Sequence, residues 1–168
     1  MTPDLTPDLA AIERRAAASG RILRLQVGGA LGLRSLRVGV AAPLAEGRAR
    51  LLGELKGWAL PSADGLRLDT MRVQGEGCEG VGLLIWAATF AWALEATPCR
   101  MARLLAIRDD ERQHRRLVRY FRGLGFTPVR ELGSAPLDLP QRLVWGGAGL
   151  LMQGDCAEGL RRCARRLA

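Results

Sequence analysis

The residues best suited to chemistry form a glycine-rich segment, Gly75 to Gly82, which reads Gly-Glu-Gly-Cys-Glu-Gly-Val-Gly. It follows a strand-like run, Leu66 to Val73, and precedes a long apolar run, Leu83 to Leu94. Glycines allow backbone amides to converge on an anion, and a helix that starts there directs the positive end of its dipole to the same point. The segment therefore predicts a diphosphate-binding loop.

Other kinds of reactive site have little support in the sequence. Cys78, Cys99, Cys156 and Cys163 form no Cys-x-x-Cys pair, and His114 is the only histidine, so we expect reduced thiols and no metal site. No serine has a His-plus-acid setting around it, so no hydrolase triad is predicted.

Length and charge narrow the class of protein. The chain has 168 residues, which favours a single domain over 1–168, with an N-terminal helical segment at 1–20 and a C-terminal helix at 155–168. The net charge is +8, and Lys56 is the only lysine beside 24 arginines. A GC-rich genome would encode arginine in place of lysine in this way. The charge could also attract a phosphate-bearing ligand, but the basic residues are spread along the chain, which argues against nucleic acid.

The termini and apolar runs bear on localisation. No apolar run reaches the roughly 18 residues of a membrane span. The N-terminus lacks the basic start and long apolar core of a secretory signal. We therefore expect a cytoplasmic protein with no membrane span.

The first half of the chain reads as a helix followed by strands. Leu66 to Val73 is a strand in which the apolar face changes partway, as a β-bulge produces, although a strand buried on both faces gives the same pattern. The other predicted elements are a helix at 7–19, strands at 22–27, 35–40 and 49–60, and a turn at 28–32.

The second half alternates helices and strands. Gly82 to Glu95 is apolar nearly all round and predicts a core helix. The remaining predicted elements are strands at 103–107, 126–132, 141–145 and 150–153, and helices from Asp109 to about Arg122 and from Ala157 to Leu167. Together these elements predict an α/β (α+β) fold.

The block from Met71 to Phe126 resembles the GNAT superfamily of N-acetyltransferases. That superfamily has a bulged strand, a glycine-rich loop, a helix, a strand, and a second helix that ends in a Gly-Phe-like segment. The matching segments here are Gly77-Cys78-Glu79-Gly80-Val81-Gly82, Leu104 to Ile107, the helix start at Asp109, and Phe121-Arg122-Gly123-Leu124-Gly125-Phe126. The resemblance implies a mixed, mostly antiparallel twisted sheet flanked by helices, with a bulged central strand.

Three segments are also similar to a GNAT-like group from cyanobacteria and plant plastids. They are Leu104-Leu105-Ala106-Ile107, Leu117-Val118-Arg119-Tyr120-Phe121 and Leu143-Val144-Trp145-Gly146-Gly147.

The resemblance implies that acetyl-CoA is the cofactor. Loop amides would hold its diphosphate, and the bulged strand would present free backbone groups to the pantetheine arm and separate from the strand at Leu104 to Ile107 to open a slot. The cofactor-binding residues implied are Met71, Val73, Gly77, Cys78, Gly80, Val81, Gly82 and His114.

Two departures from the superfamily pattern concern polar groups. Gly77 stands where the loop usually has Gln or Arg. Phe121 stands where the superfamily usually has a tyrosine as general acid. Tyr120 is adjacent, but one residue on a helix turns a side chain by about 100°, so we expect Tyr120 to point elsewhere.

Three residues are the catalytic candidates. Tyr120 is either a displaced acid or a packing tyrosine. His114 shares a helix face with Leu117 and Phe121, so it is either a proton carrier that faces the cofactor or a structural histidine. Asp69, like Glu54, is either a base near the slot or a solvated strand residue.

A third departure concerns the acceptor site. The superfamily usually has two helices between its first two strands, and only a glycine turn separates Val27 from Ser35. Either the helix at 7–19 replaces them or the acceptor site is truncated.

The sequence leaves several functions open. The first hypothesis is an acetyl-CoA-dependent N-acetyltransferase that acts on a small-molecule or protein amine. The second is a catalytically weak or inactive GNAT-like protein that binds CoA or assists assembly. The third is an RNA-binding accessory protein, which the low aromatic content, 5%, argues against. A homodimer is possible.

Overall fold

The computed structural model describes residues 6–73, 78–133, 135–145 and 147–168. The N-terminal half contains α1 (Leu9–Ala18), β1 (Ile22–Ala30), β2 (Leu33–Pro43), β3 (Ala49–Ala59) and β4 (Leu66–Val73). The C-terminal half contains α2 (Val81–Ala96), β5 (Met101–Ile107), α3 (Glu111–Gly123), β6 (Thr127–Leu132), α4 (Leu139–Trp145), β7 (Gly149–Asp155) and α5 (Cys156–Leu167). Short 3-10 turns lie at Ala45–Gly47 and Pro136–Asp138.

The strands form one seven-stranded sheet in the order β1-β2-β3-β4-β5-β7-β6. Neighbouring strands are antiparallel except β4 and β5, which are parallel. This confirms the predicted mixed, mostly antiparallel sheet flanked by helices. The order β4-α2-β5-α3-β6 is also the order that the resemblance implied.

Aspartate side chains set the start of three helices. Asp8 caps α1 by accepting a hydrogen bond from the Ala11 amide, and Asp155 caps α5 through the Glu158 amide. Asp110 accepts from two amides at the start of α3. Because a cap satisfies amides that have no partner within the helix, each helix begins one residue after its aspartate.

The first hairpin is longer than predicted. The segment 28–32 was expected to be a turn, but the β1–β2 ladder continues to the pair Ala30 and Leu33. Only Leu31 and Gly32 form the connection, with φ of 56° and 83°. Two residues with positive φ match the right-handed twist of the flanking strands, which is why such a short loop closes the hairpin.

The prediction of a strand at 141–145 is wrong, because these residues belong to helix α4. Pro140 lies in its first turn, where proline costs no hydrogen bond. Leu143 and Val144 are about three-quarters exposed, so the short apolar run does not mark a core strand, and periodicity cannot separate the two structures at this length. Strand β7 fills the place between β5 and β6.

The core lies on one face of the sheet, beneath α2. Every residue of α2 from Leu84 to Ala93 is buried, as expected of a core helix. Helices α1 and α5 both pack against α2. Ile12 and Ala16 of α1 belong to the same core as Val38 of β2. Helix α1 therefore lies on the α2 side of the sheet.

None of the helices in the described ranges is long and apolar enough to span a membrane.

Candidate active site

Strand β4 contains a bulge at Asp69. Thr70 is opposite Lys56 of β3, whereas Leu68 is opposite Gly57, so Asp69 is the extra residue in the ladder. This confirms the bulge interpretation of the apolar pattern. Because one extra residue reverses the direction of later side chains, the strand presents a different face after Asp69.

Strands β4 and β5 separate just before the bulge. They pair only from Leu66 to Leu68 against Ala102 to Leu104. Beyond that point β4 continues to Val73 beside β3, and β5 continues to Ile107 beside β7. The edges of β4 and β5 that face each other are therefore not paired with one another, and a gap opens in the sheet.

The gap is the mouth of a cleft of about 550 Å³, which we call the main cleft. Its walls come from the two separated strands, from the start of α2 and from one face of α3. The lining residues that matter here are Asp69, Met71, Val73, Gly82, Trp86, Leu105, Ile107, Leu117, Tyr120 and Phe121. Most of the lining side chains are apolar, and the polar ones are Asp69, Thr70 and Arg72 of β4 and Tyr120 of α3.

Tyr120 lines the main cleft, which corrects the expectation that it points elsewhere. Its hydroxyl oxygen accepts a hydrogen bond of 3.0 Å from Trp86 Nε1. Since an indole nitrogen can only donate, the tyrosine O–H proton is left to donate to another group. Burial raises the pKa of Tyr120, and the Trp86 bond opposes that rise. Tyr120 therefore keeps its proton at neutral pH, and its O–H can donate a hydrogen bond.

Phe121 also lines the cleft, but it packs into an aromatic cluster. Its ring meets Trp86 edge-on at 6.1 Å and Phe126 at 6.1 Å between centroids. Tyr120 and Phe121 are adjacent on α3, yet both face the cleft. The wall that α2 contributes to the cleft, from Gly82 to Trp86, is wide enough to contact both side chains.

His114 is not among the residues that line the cleft. It is buried, with Nδ1 3.1 Å from the Ile107 carbonyl and Nε2 3.2 Å from Arg108 Nη2. Because a carbonyl can only accept, we assign the hydrogen to Nδ1, which leaves Nε2 to accept from Arg108. This arrangement joins α3 to the end of β5 and supports the structural alternative for His114.

Part of the glycine-rich loop lies outside the described residues, including Gly75 and Gly77. In the described part, Gly80 is the N-cap of α2 with φ of 75°, and the Val81 amide donates to the Cys78 carbonyl at 3.1 Å. The Val81 amide is therefore used within the turn, and the amides of Gly82 and Leu83 are those of the first helical turn without an intrahelical acceptor. Cys78 is partly buried, with its sulfur 3.8 Å from the Leu52 carbonyl oxygen.

Gly82 keeps the cleft open at the start of α2. A Cβ atom at this position would lie 3.1 Å from the Tyr120 hydroxyl oxygen and 3.5 Å from Met71 Cε. A side chain would therefore intrude between the helix and the cleft wall. Gly82 therefore lies directly against Tyr120 and Met71.

Arg21 was not singled out from the sequence, yet it lies beside the loop. Its Nη1 would be 3.6 Å from a Cβ on Gly80. This places a cation close to the N-terminus of α2. No sequence signal could have found it, because Arg21 precedes the loop by more than fifty residues.

Asp69 lines a second cavity as well as the main cleft. The second cavity has a volume of about 380 Å³ and is formed by β1, β2, β3 and β4. No ion pair joins Asp69 to another residue in the described ranges. The bulge thus presents a carboxylate where the two cavities approach each other.

The described residues contain no group of three His, Cys, Asp or Glu side chains placed to hold a metal ion.

This protein has only distant similarity to the known structure described below. No family model matches the sequence, and no curated protein is significantly similar to it. Among solved structures, the crystal structure of a nourseothricin acetyltransferase is similar, with 13% identity over 82% of this chain and 88% of that chain. The TM-score is 0.44. A similarity this low does not bear on function.

Proposed function

We propose that this protein is an N-acetyltransferase of the GNAT type, which transfers an acetyl group from acetyl-CoA to an amine. The observation that carries the proposal is the gap between β4 and β5, which opens at the Asp69 bulge and leads to the N-terminus of α2. Because the slot is open through the sheet, a thioester on one side of the sheet and an amine on the other side can meet in it.

Acetyl-CoA would be held by the glycine-rich loop and by β4, and Met71, Val73 and Gly82 of this set line the main cleft. The loop residues Gly77, Cys78, Gly80, Val81 and Gly82 would contact the diphosphate, with Arg21 as a nearby cation. The unpaired edge of β4 near Met71 and Val73 would contact the pantetheine arm. Acetyl-CoA supplies an activated acyl group as a thioester. The largely apolar walls of the main cleft fit such a chain.

Two side chains would handle protons. Asp69, at the bulge, would orient the amine and accept the proton that it loses on forming the amide. Tyr120 would donate its hydroxyl proton towards the leaving sulfur, because Trp86 already occupies the oxygen as a donor. His114 would act only by holding α3 against β5.

Phe121 favours a second candidate, a CoA-binding protein with weak or no turnover. The residue at the usual acid position packs against Trp86 and Phe126 and has no proton to give. In this case acetyl-CoA would bind and no amine would be acetylated. Either candidate function is compatible with a cytoplasmic location and with the similarity to a GNAT-like group from cyanobacteria and plant plastids.

The test is calorimetric titration with acetyl-CoA, followed by measurement of thiol release with a panel of amines. We expect binding, and Gly80→Asp should abolish it because a carboxylate would oppose the diphosphate. Gly47→Asp is a matched control: Gly47 has φ of 71° against 75° at Gly80, and nothing lies within 4 Å of its Cβ position. Absence of binding at near-millimolar acetyl-CoA in the unmodified protein would refute both candidates.

A further inference from the structure

The second cavity lies on the sheet face opposite the core. All of its lining residues belong to β1–β4, and side chains alternate between faces along these strands. Leu36 and Val38 of β2 are buried on the core side, whereas Ser35 and Arg37 point to the other face. Helix α1 lies on the core side, so it does not cover this cavity. The expected acceptor helices are thus not replaced by α1.

Positive charge is concentrated on one side of the second cavity. Arg37 and Lys56 are directly opposite each other across β2 and β3. Both contact the same carboxylate, Glu54, at 3.5 Å from Arg37 Nε and 3.6 Å from Lys56 Nζ. Opposed like charges destabilise a sheet, and one carboxylate neutralises only one of the two cations. An anion bound here would balance the remaining charge.

The other groups of the second cavity complement this charge. Asp69, at the bulge, is negative and also lines the main cleft. Gln26 and Ser35 add hydrogen-bonding groups to the side that contains Arg37, and Trp58, which is 45% exposed, provides a flat apolar wall. The cavity therefore offers a carboxylate at the slot, an apolar surface, and a cationic pair.

We propose that the second cavity binds the acetyl acceptor, and that the acceptor is a small primary amine which carries an anionic group. The amine would lie at Asp69, and the carboxylate or phosphate of the acceptor would lie against Arg37 and Lys56. This inference rests on the proposed function. The amine nitrogen forms a bond with the thioester carbonyl carbon, the carbon–sulfur bond breaks, the amine proton passes to Asp69, and the sulfur leaves as the thiol with a proton from Tyr120.

The charge pattern also disfavours polycationic acceptors. A polyamine would bring further positive charge to Arg37 and Lys56 in a protein whose net charge is already +8. We therefore expect amino-acid-like or phosphate-bearing amines to be preferred to polyamines as acceptors.

The test compares acceptors that differ only in the anionic group. Phenylalanine is paired with phenylalaninamide, phosphoethanolamine with ethanolamine, and spermidine serves as the polycation. Thiol release should show kcat/KM at least about tenfold higher for the anionic member of one pair, the size expected for a charge-assisted hydrogen bond. The pair that shows the preference identifies the anion as carboxylate or phosphate.

The variant Arg37→Gln tests the site itself. We expect it to remove most of the preference for the anionic member while leaving the dissociation constant of acetyl-CoA unchanged. Arg48→Gln is the control, because Arg48 is exposed beside the 3-10 turn at Ala45–Gly47 and contacts Glu46 instead. A preference that survives Arg37→Gln would overturn the inference, as would faster acetylation of spermidine.

Equilibrium binding separates this inference from the proposed function. The same pairs are titrated into the protein by calorimetry, without turnover. Tighter binding of the anionic member that depends on Arg37 supports the inference even if no acetyl transfer occurs. Equal binding of both members, or no binding of either, refutes it even if acetyl-CoA binds and is turned over.

Discussion

The indole N–H of Trp86 donates a 3.0 Å hydrogen bond to the hydroxyl oxygen of Tyr120. This bond joins the core helix α2 to α3 at the wall of the main cleft. It fixes the position of the hydroxyl and leaves its proton directed away from Trp86. Tyr120, next to Phe121 on α3, thereby becomes the polar group of an otherwise apolar wall.

Replacing Tyr120 with Phe should lower kcat for acetyl transfer by roughly 10²-fold or more, the contribution typical of a general acid. The dissociation constant of acetyl-CoA should change little, because the ring remains. Steady-state kinetics and calorimetry measure the two effects separately.

Ser62→Ala is the control for loss of a hydroxyl, since Ser62 hydrogen-bonds Asp64 in an exposed turn away from the cleft. An unchanged kcat in Tyr120→Phe would mean that Tyr120 only packs.

Replacing Gly82 with Ala should weaken binding with little change in stability. Alanine favours a helix over glycine by up to about 1 kcal/mol, and this gain is offset by the close contact of the new methyl group with the Tyr120 hydroxyl, so the free energy of unfolding should change little. The new methyl group would lie 3.1 Å from the Tyr120 oxygen and narrow the cleft, so acetyl-CoA affinity should fall. Urea denaturation and calorimetry provide the two measurements.

Gly123→Ala offers a comparison at another helical glycine, where the new Cβ meets only the flexible end of Arg166 at 3.2 Å. If Gly82→Ala bound acetyl-CoA as tightly as Gly123→Ala, the cofactor would not pass Gly82.

Replacing Arg21 with Gln should weaken acetyl-CoA binding about fivefold, as expected from loss of roughly 1 kcal/mol at a partly exposed charge. The difference between the two proteins should shrink at high salt, because salt screens exposed charges. Calorimetry at two salt concentrations checks both statements.

Arg24→Gln is the control, because it makes the same change of charge on β1, where Arg24 donates a hydrogen bond to the carbonyl of its neighbour Leu23. Equal effects of the two variants would point to net charge rather than to Arg21.

Stability should fall in alkaline solution because of a buried thiol. Burial raises the pKa of Cys163 from 9.0 to about 12. The folded protein therefore keeps this proton between about pH 9 and pH 12, whereas the unfolded chain loses it, so the free energy of unfolding decreases as pH rises through that range. Cys156 has the same shift for the same main cause.

Urea denaturation of Cys163→Ala at pH 7 and pH 11 should show a smaller loss of stability than in the unmodified protein. An identical loss in Cys163→Ala would contradict the assignment.

The sequence determined the helices and strands of this protein wherever the pattern of buried residues or the residue types are distinctive. The bounds of β4 follow from its apolar run, and the change of face near Asp69 indicated either a bulge or a strand buried on both faces; the register of β3 and β4 decided for the bulge. The core helix follows from an apolar composition around its whole circumference. Helix α4 was missed because its apolar residues are exposed and too few to show a period.

Only the tertiary structure decided which residues meet. Arg21 lies beside Gly80, and Arg37 opposes Lys56, because the order and register of the strands bring distant positions together. The angle between adjacent helix positions predicted that Tyr120 would turn away, but the wall formed by Gly82 and Trp86 of α2 is broad enough to contact both Tyr120 and Phe121. Periodicity describes one element at a time, whereas a cleft is defined by the separation of several elements.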